Sequence, residues 1–157
     1  MAPTRIALVC LCNICRSPTA HVVLEQRLAD AGIDAEVASA GTGGWHEGEP
    51  MDPRSAAVLR EAGYDPSRHR ARTFTRDWFV EHDLLLAMDH ANAADMRELA
   101  PTVEDEARVV MFRSFDPDTS DGDEVPDPWY GGPDGFRHVL ELIERTCDGI
   151  VAHLAAR

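Results

Sequence analysis

The stretch RIALVCLCNICRSP, residues 5–18, contains a strand, a loop and the start of a helix. Residues 5–10 form an apolar run with the length of a buried strand. Pro18 suits the first turn of a helix that we expect to reach residue 31, and Ser17 is the predicted N-cap of that helix. This order predicts the first unit of an α/β fold with a mostly parallel sheet.

The rest of the chain continues the alternation of strands and helices. Further strands are predicted at residues 35–40, 83–88 and 108–112, and further helices at 53–62, 75–80, 91–99 and 133–155. Because no repeat or linker divides the sequence, residues 1–157 are predicted to form a single domain with a four-stranded sheet between helices. The irregular stretch at 115–132 is rich in acidic residues, and we interpret it mostly as a solvated loop.

The charge balance restricts the partners of the protein. Fifteen basic residues, all of them arginine, stand against 28 acidic ones, and the formal net charge is −13. This balance argues against a nucleic-acid partner, which requires a basic face. No apolar run approaches the roughly 18 residues of a membrane span, and the N-terminus lacks the pattern of a signal peptide. We therefore predict no membrane span and a cytoplasmic location.

Three of the four cysteines lie close together in the sequence, at Cys10, Cys12 and Cys15. The fourth, Cys147, falls on the apolar stripe of the last predicted helix and is predicted to lie in the core. Such clustering favours catalysis, redox chemistry or metal binding over a secreted disulfide framework. A tetrahedral metal site would need a fourth ligand, and His21 is the nearest in sequence, but thiolate sites usually use paired short spacings. We therefore predict no metal and no cofactor.

The loop from Cys10 to Ser17 has the features of an anion site. Five residues separate Cys10 from Arg16, which lets the chain curl around a tetrahedral anion with its amide groups pointing inward. The following helix adds its N-terminal dipole, and Arg16 is able to hold two oxygens at once. This positive environment favours the thiolate of Cys10, which is the nucleophilic form of the side chain. The hydroxyl of Ser17 is placed to donate to the same sulfur.

The loop at residues 10–18 resembles that of a known family, the low-molecular-weight protein tyrosine phosphatases in their bacterial form. Their loop signature is Cys-x-Gly-Asn-x-Cys-Arg-Ser-Pro, and beyond the Cys-x5-Arg core it is matched by Asn13, Cys15, Ser17 and Pro18. The resemblance extends over nearly the whole chain, with further matching blocks at residues 39–42 together with Trp45, and at 52–54, 69–72, 86–89 and 127–130. It implies a flavodoxin-like three-layer sandwich with a phosphate-binding loop after the first strand.

The resemblance also implies a mechanism and a set of site residues. Cys10 would attack phosphorus while Arg16 and the loop amides hold the equatorial oxygens, and Asp127 would first protonate the departing phenolate and then activate water. Substrate contacts are implied for Leu11, Cys12, Asn13, Ile14, Cys15, Ser17, Trp45, Trp129 and Tyr130. Asn13 would hold the shape of the loop through hydrogen bonds to Ser39 and His69. The aromatic residues would wall a deep slot that favours aryl phosphates.

The implied partners are proteins that contain phosphotyrosine, with inorganic phosphate or other oxyanions at the loop, and the protein is expected to be a monomer. Asp52 and Asp89 are interpreted as turn or cap residues. One departure from the family pattern is Cys12, which stands where the family has glycine. If that position needs a positive φ, the side chain costs about 1–2 kcal/mol. A disulfide between Cys10 and Cys15 is expected after oxidation, with Cys12 as a second candidate.

Three alternatives to a tyrosine phosphatase remain open at this stage. An arsenate reductase of the same fold relays a disulfide through two further cysteines, but none occurs between Cys15 and Cys147. A protein arginine phosphatase places threonine just before the second loop cysteine, where this chain has Ile14. A non-enzymatic phosphate-binding or redox module would be expected to have lost Cys10, Arg16 or Asp127, and all three are present.

Overall fold

The computed structural model describes residues 2–128 and 132–157, and its centre is a parallel sheet. The four strands are β1 (Thr4–Cys10), β2 (Ala35–Gly41), β3 (Leu84–Ala87) and β4 (Val109–Met111). Their spatial order is β2-β1-β3-β4, and each neighbouring pair is parallel. The predicted α/β fold is thus confirmed, and the described strands are parallel throughout.

Helices cover both faces of this sheet. They are α1 (Arg16–Ala31), α2 (Pro53–Glu61), α3 (Trp78–Glu81), α4 (His90–Glu98), α5 (Val103–Arg108) and α6 (Pro133–Ala155), with a 3₁₀ helix at Phe112–Phe115 after β4. Within residues 2–128 and 132–157, no helix has both the length and the apolar character needed to cross a membrane.

Alternating side chains of β1 enter two separate hydrophobic cores. Ile6 and Leu8 pack with α1, α2 and α6, whereas Ala7 and Val9 face Phe79 and other residues of α3 and α4. These four residues of β1 are fully buried, as expected for a central strand between two layers of helices. The two cores give the three-layer arrangement that was predicted. Cys147 lies in the first core and is fully buried, which confirms its predicted position.

Three predictions about helices were wrong, the first being the helix at residues 75–80, which occupies Trp78–Glu81 with Asp77 as its N-cap. Helix α1 begins at Arg16 with Cys15 as its N-cap, so Ser17 lies inside the first turn and does not cap it. Its side chain is instead directed back towards the loop. Helix α5 was missed because it is short and has no buried face, although the side chain of Thr102 caps its N-terminus by accepting from the amide of Asp105.

The acidic stretch after β4 is not simply a solvated loop. Asp116 is buried and accepts hydrogen bonds from two arginines, Arg113 at 3.0 Å and Arg145 at 2.7 Å. The arginine partners explain this burial, because a carboxylate leaves water only where charged donors replace the lost hydration.

Candidate active site

The loop after β1 lies where the strand order of the sheet reverses. Strand β1 has β2 on one side and β3 on the other, so the connections that leave these strands diverge around its carboxyl end. Open α/β sheets bind their ligands at such points. Residues 11–15 fill this place, and helix α1 leaves directly from them.

The carbonyl groups of the loop are bound from outside. Backbone amides of neighbouring segments donate to them, Thr42 to Cys10 at 3.0 Å, Gly43 to Leu11 at 2.8 Å, and Asp52 to Ile14 at 2.8 Å. A loop whose carbonyls face outward directs amide groups inward, and this is the arrangement of an anion-binding nest. The amide of Asn13 points inward and lies 3.3 Å from the sulfur of Cys10.

The backbone of the loop accommodates a cysteine at position 12, where the family pattern has glycine. Of the non-glycine residues in the described ranges, Asn13 alone has a positive φ, of 57°, so Cys12 carries no such strain. The close backbone approach occurs instead at Gly41, where a Cβ atom would lie 2.7 Å from the carbonyl oxygen of Leu11. Glycine is therefore required next to the loop rather than within it.

Asn13 holds the loop with one predicted partner, His69, and with two partners that were not predicted. Its side-chain oxygen accepts from the amide of Arg72 at 2.9 Å, and its Nδ2 donates to the hydroxyl of Ser17 at 2.8 Å. His69 binds the backbone carbonyl of Asn13 at 2.7 Å, and burial lowers the pKa of that histidine. The predicted contact with Ser39 is wrong, because the hydroxyl of Ser39 pairs with the ring of His21 at 3.1 Å.

Cys10 and Arg16 lie together at the bottom of the site. The sulfur of Cys10 is 3.0 Å from the hydroxyl of Ser17, and the residue is 2% exposed. The guanidinium of Arg16 donates to Asp89 at 2.6 Å and to the carbonyl of Val125 at 3.1 Å. Burial opposes the charge of Arg16, but Cys10 and Asp89 raise its pKa, so it stays a cation.

Asp89 has a second role that the sequence reading missed. It is the N-cap of α4, as predicted, and accepts from the amide of Asn92 at 2.7 Å. Its other oxygen orients Arg16, 73 positions earlier in the chain. Asp52 caps α2, also as predicted.

A cavity of about 160 Å³ opens above these groups. Its lining consists of Cys10, Leu11, Cys12, Ile14, Cys15, Arg16, His46 and Asp127. The carboxylate of Asp127 lies 4.0 Å from Arg16, and its side chain is 44% exposed. The structure therefore brings Asp127 to the same cavity as Cys10, although the two residues are 117 positions apart in the sequence.

Of the three aromatic residues predicted to wall the site, only Trp45 lies in the described part of the chain. Trp45 is 71% exposed, packs against Gly43 and lies outside the lining of the cavity. His46, which the sequence reading gave no role, lines the cavity instead, with its Nδ1 2.7 Å from a carboxylate oxygen of Glu49. Trp129 and Tyr130 lie outside the described residues.

The loop cysteines differ in their surroundings although all four cysteines of the chain are free thiols. Burial, with a smaller contribution from Asp52, raises the pKa of Cys15 to about 12. Burial and the neighbouring Cys10 also raise the pKa of the half-buried Cys12. Over residues 2–128 and 132–157, no group of three or more His, Cys, Asp or Glu side chains has the arrangement of a metal site.

A buried thiol beside a fixed arginine, under an anion-binding loop at the end of a parallel strand, defines a class of protein. It is the class of cysteine-dependent phosphohydrolases, in which the thiolate attacks phosphorus and the loop holds the phosphoryl oxygens.

Comparisons with known proteins identify the family within this class. The model of the family "Low molecular weight phosphotyrosine protein phosphatase" matches residues 5–157, and the chain belongs to that family. A low molecular weight protein-tyrosine-phosphatase from Streptomyces coelicolor is 49% identical over 94% of this chain and 92% of its own length. Low molecular weight protein-tyrosine phosphatase A from Mycobacterium tuberculosis is 42% identical over 94% of this chain and 90% of its own length.

Solved structures agree with this assignment. The crystal structure of a protein tyrosine phosphatase from Entamoeba histolytica superposes with a TM-score of 0.91, at 30% identity over 98% of this chain and 97% of that one. The prediction of a protein tyrosine phosphatase, a hydrolase that works through a phosphocysteine, is therefore confirmed.

Proposed function

We propose that Cys10 is the nucleophile with which this phosphatase hydrolyses phosphotyrosine and related aryl phosphates. The observation that carries this proposal is the position of its sulfur, at the bottom of the cavity and within 3.0 Å of Ser17 and 3.3 Å of the amide of Asn13. Both groups are able to donate to a thiolate and so stabilise it. Attack on phosphorus forms the S–P bond and breaks the P–O bond to the aryl group.

Arg16 and Asp127 supply the other two parts of the mechanism. Arg16 holds two equatorial oxygens of the phosphoryl group as negative charge shifts during transfer. Asp127 lies on the lining of the cavity and donates a proton to the departing phenolate. In the second step it takes a proton from water, which attacks the phosphocysteine and releases phosphate and the Cys10 thiolate.

The lining of the cavity supports a preference for aryl phosphates. Leu11 and Ile14 contribute apolar surface above Cys10, and an aromatic ring is able to cover it. Ile14 offers no hydroxyl to a guanidinium group, which would leave the donors of a phosphoarginine unpaired. We also propose phosphotyrosine proteins as the substrates, a monomeric state, a cytoplasmic location and a single phosphatase domain over residues 1–157; the match to the family over residues 5–157 supports the last of these.

Substrate preference is tested with three phosphopeptides of one sequence that carry phosphotyrosine, phosphoserine or phosphoarginine. We expect kcat/KM for phosphotyrosine to exceed the other two values by at least about tenfold, since one well-placed contact contributes about 1–3 kcal/mol. Ile14→Thr is the matched variant, and it should raise activity on phosphoarginine while activity on p-nitrophenyl phosphate persists. A wild-type preference for phosphoarginine would contradict the role assigned to Ile14.

We further propose that the site is sensitive to oxidants. Peroxide would oxidise Cys10 to a sulfenic acid and be reduced to water, and Cys15 would then displace a second water to form a Cys10–Cys15 disulfide. Because the pKa of Cys15 is raised to about 12, its thiolate fraction is small at neutral pH and grows as the pH rises. The step from the sulfenic acid to the disulfide should therefore accelerate by about tenfold for each pH unit between 7 and 9, measured after peroxide has been removed.

The disulfide is identified by mass spectrometry of the oxidised protein digested without reduction. Cys15→Ser should make inactivation by peroxide irreversible to dithiothreitol, whereas Cys12→Ser should leave recovery intact. A dominant Cys10–Cys12 linkage would show that Cys12, the more exposed thiol, is the resolving residue.

A further inference from the structure

Arg113 is a buried charge that takes no part in lining the cavity. It lies in the 3₁₀ helix after β4, and its side chain is 2% exposed. A buried guanidinium is tolerated only where hydrogen-bond acceptors surround it. Its acceptors therefore indicate what it stabilises.

One of these acceptors is the buried carboxylate of Asp116, which Nε of Arg113 reaches at 3.0 Å. Arg145 donates to the same carboxylate twice, at 2.7 Å and 3.0 Å. Burial opposes ionisation of this group, but the hydrogen bonds from Arg145, the amide of Asp118 and Arg113 hold the pKa of Asp116 at about 2. The ion pair is thus intact at neutral pH.

The remaining donors of Arg113 bind the segment that leads to Asp127. We call residues 116–127 the acid loop. Nη2 donates to the carbonyl of Asp118 at 3.2 Å and to the side chain of Asp121 at 2.9 Å. Nη1 donates to the carbonyl of Glu124 at 2.8 Å, so one planar group holds both ends of the loop.

The contact at Glu124 leads directly to the active site. The next residue, Val125, is fully buried, and its amide donates to Met88 at 2.8 Å while its carbonyl accepts from Arg16 at 3.1 Å. Pro126 then restricts the backbone, and Asp127 follows at the cavity. Few rotatable bonds separate the carbonyl that Arg113 holds from the carboxylate of Asp127.

We propose that Arg113 is a positioning residue that fixes Asp127 at the distance from the substrate needed for proton transfer. This inference rests on the proposed role of Asp127 as the general acid. Arg113 touches neither the substrate nor the reacting atoms, and it acts through the backbone of the acid loop. Lysine cannot replace it, because a single ammonium group cannot span the carboxylate of Asp116 and the carbonyl of Glu124 in one plane.

If Arg113 had a purely structural role, its replacement would lower the stability of the protein without changing the catalytic step. The dependence of the hydrolysis rate on the leaving group distinguishes this case from a positioning role. A displaced acid slows the departure of phenol, which needs a proton, and has little effect on 2,4-dinitrophenol, which leaves as an anion. The ratio of kcat/KM for 2,4-dinitrophenyl phosphate to kcat/KM for phenyl phosphate is therefore the quantity to measure. Because both values come from one preparation, the ratio does not depend on the folded fraction.

We expect Arg113→Lys to raise this ratio by about ten- to a hundredfold, the size of effect caused by displacing a catalytic group by about 1 Å. Arg113→Gln is a second variant with the same expectation. Arg145→Met is the matched control, since Arg145 shares Asp116 but contacts only the start of the acid loop, and its side chain is 39% exposed. It should lower the melting temperature and leave the ratio within about twofold of wild type.

Asp127→Asn completes the experiment. It should raise the ratio itself, and adding Arg113→Lys to it should raise the ratio no further, because the group that Arg113 positions is gone. An unchanged ratio in Arg113→Lys beside a raised ratio in Asp127→Asn would overturn the positioning role and leave the proposed function standing. An unchanged ratio in Asp127→Asn would instead overturn the assignment of the acid, and the positioning role with it.

Discussion

Replacing Cys10 by serine is expected to abolish turnover of p-nitrophenyl phosphate, with a loss on the order of the 10⁶-fold seen when an enzyme loses its covalent nucleophile. A serine hydroxyl is not ionised near neutral pH and is a much weaker nucleophile than the thiolate that attacks phosphorus. The variant should still bind phosphate or vanadate, because Arg16 and the loop amides are unchanged.

The measurement has two parts, steady-state activity and binding of vanadate by calorimetry. Cys147→Ser is a suitable control, because it makes the same replacement at a thiol outside the site. Cys147 is fully buried in the core, on helix α6. That variant should lose stability and keep activity when folded. Activity that survives in Cys10→Ser would contradict the mechanism, and loss of vanadate binding would contradict the description of the loop as a preformed anion site.

The parts of this molecule that the sequence predicts are those with strong local patterns. The bounds of α6 agree with the prediction at both ends, since Pro133 suits the first turn and the apolar stripe continues without a break to the last turn. Cys10 and Arg16 lie six positions apart on one loop, and their proximity therefore follows from chain connectivity alone. The role of Asp127 as the general acid, in contrast, is predicted only from the resemblance to a family.

The parts that the sequence does not predict depend on contacts between distant segments. Asp89 orients Arg16 across 73 positions, and no local pattern separates an aspartate with two roles from a simple helix cap. The burial of Asp116 depends on Arg145, which comes from a different helix. Ser17 has the residue type of a helix cap, but the loop requires its hydroxyl at Cys10, and this tertiary contact overrides the local preference.

The second large effect is expected for Arg16→Lys, which should reduce kcat/KM by about 10²–10³-fold, the loss that follows removal of one donor from a preorganised oxyanion site. Arg16 donates to Asp89 and to the carbonyl of Val125 while the rest of its guanidinium faces the cavity. A lysine ammonium is a single point of charge on a flexible chain, and it cannot hold Asp89 and two phosphoryl oxygens in one plane.

Asp89→Asn is the matched variant for this prediction, because its one amide oxygen keeps the N-cap of α4 while its NH2 group, which is a donor, replaces the oxygen that accepts from Arg16. It removes the carboxylate that orients Arg16 and leaves the guanidinium in place, and we expect a loss of about tenfold in kcat/KM and a lower melting temperature, because a buried arginine loses its charged partner. Vanadate affinity should fall strongly in Arg16→Lys and slightly in Asp89→Asn. Equal losses in the two variants would mean that the contact with Asp89, rather than the planar fork of Arg16, determines how the loop holds the transferring phosphoryl group.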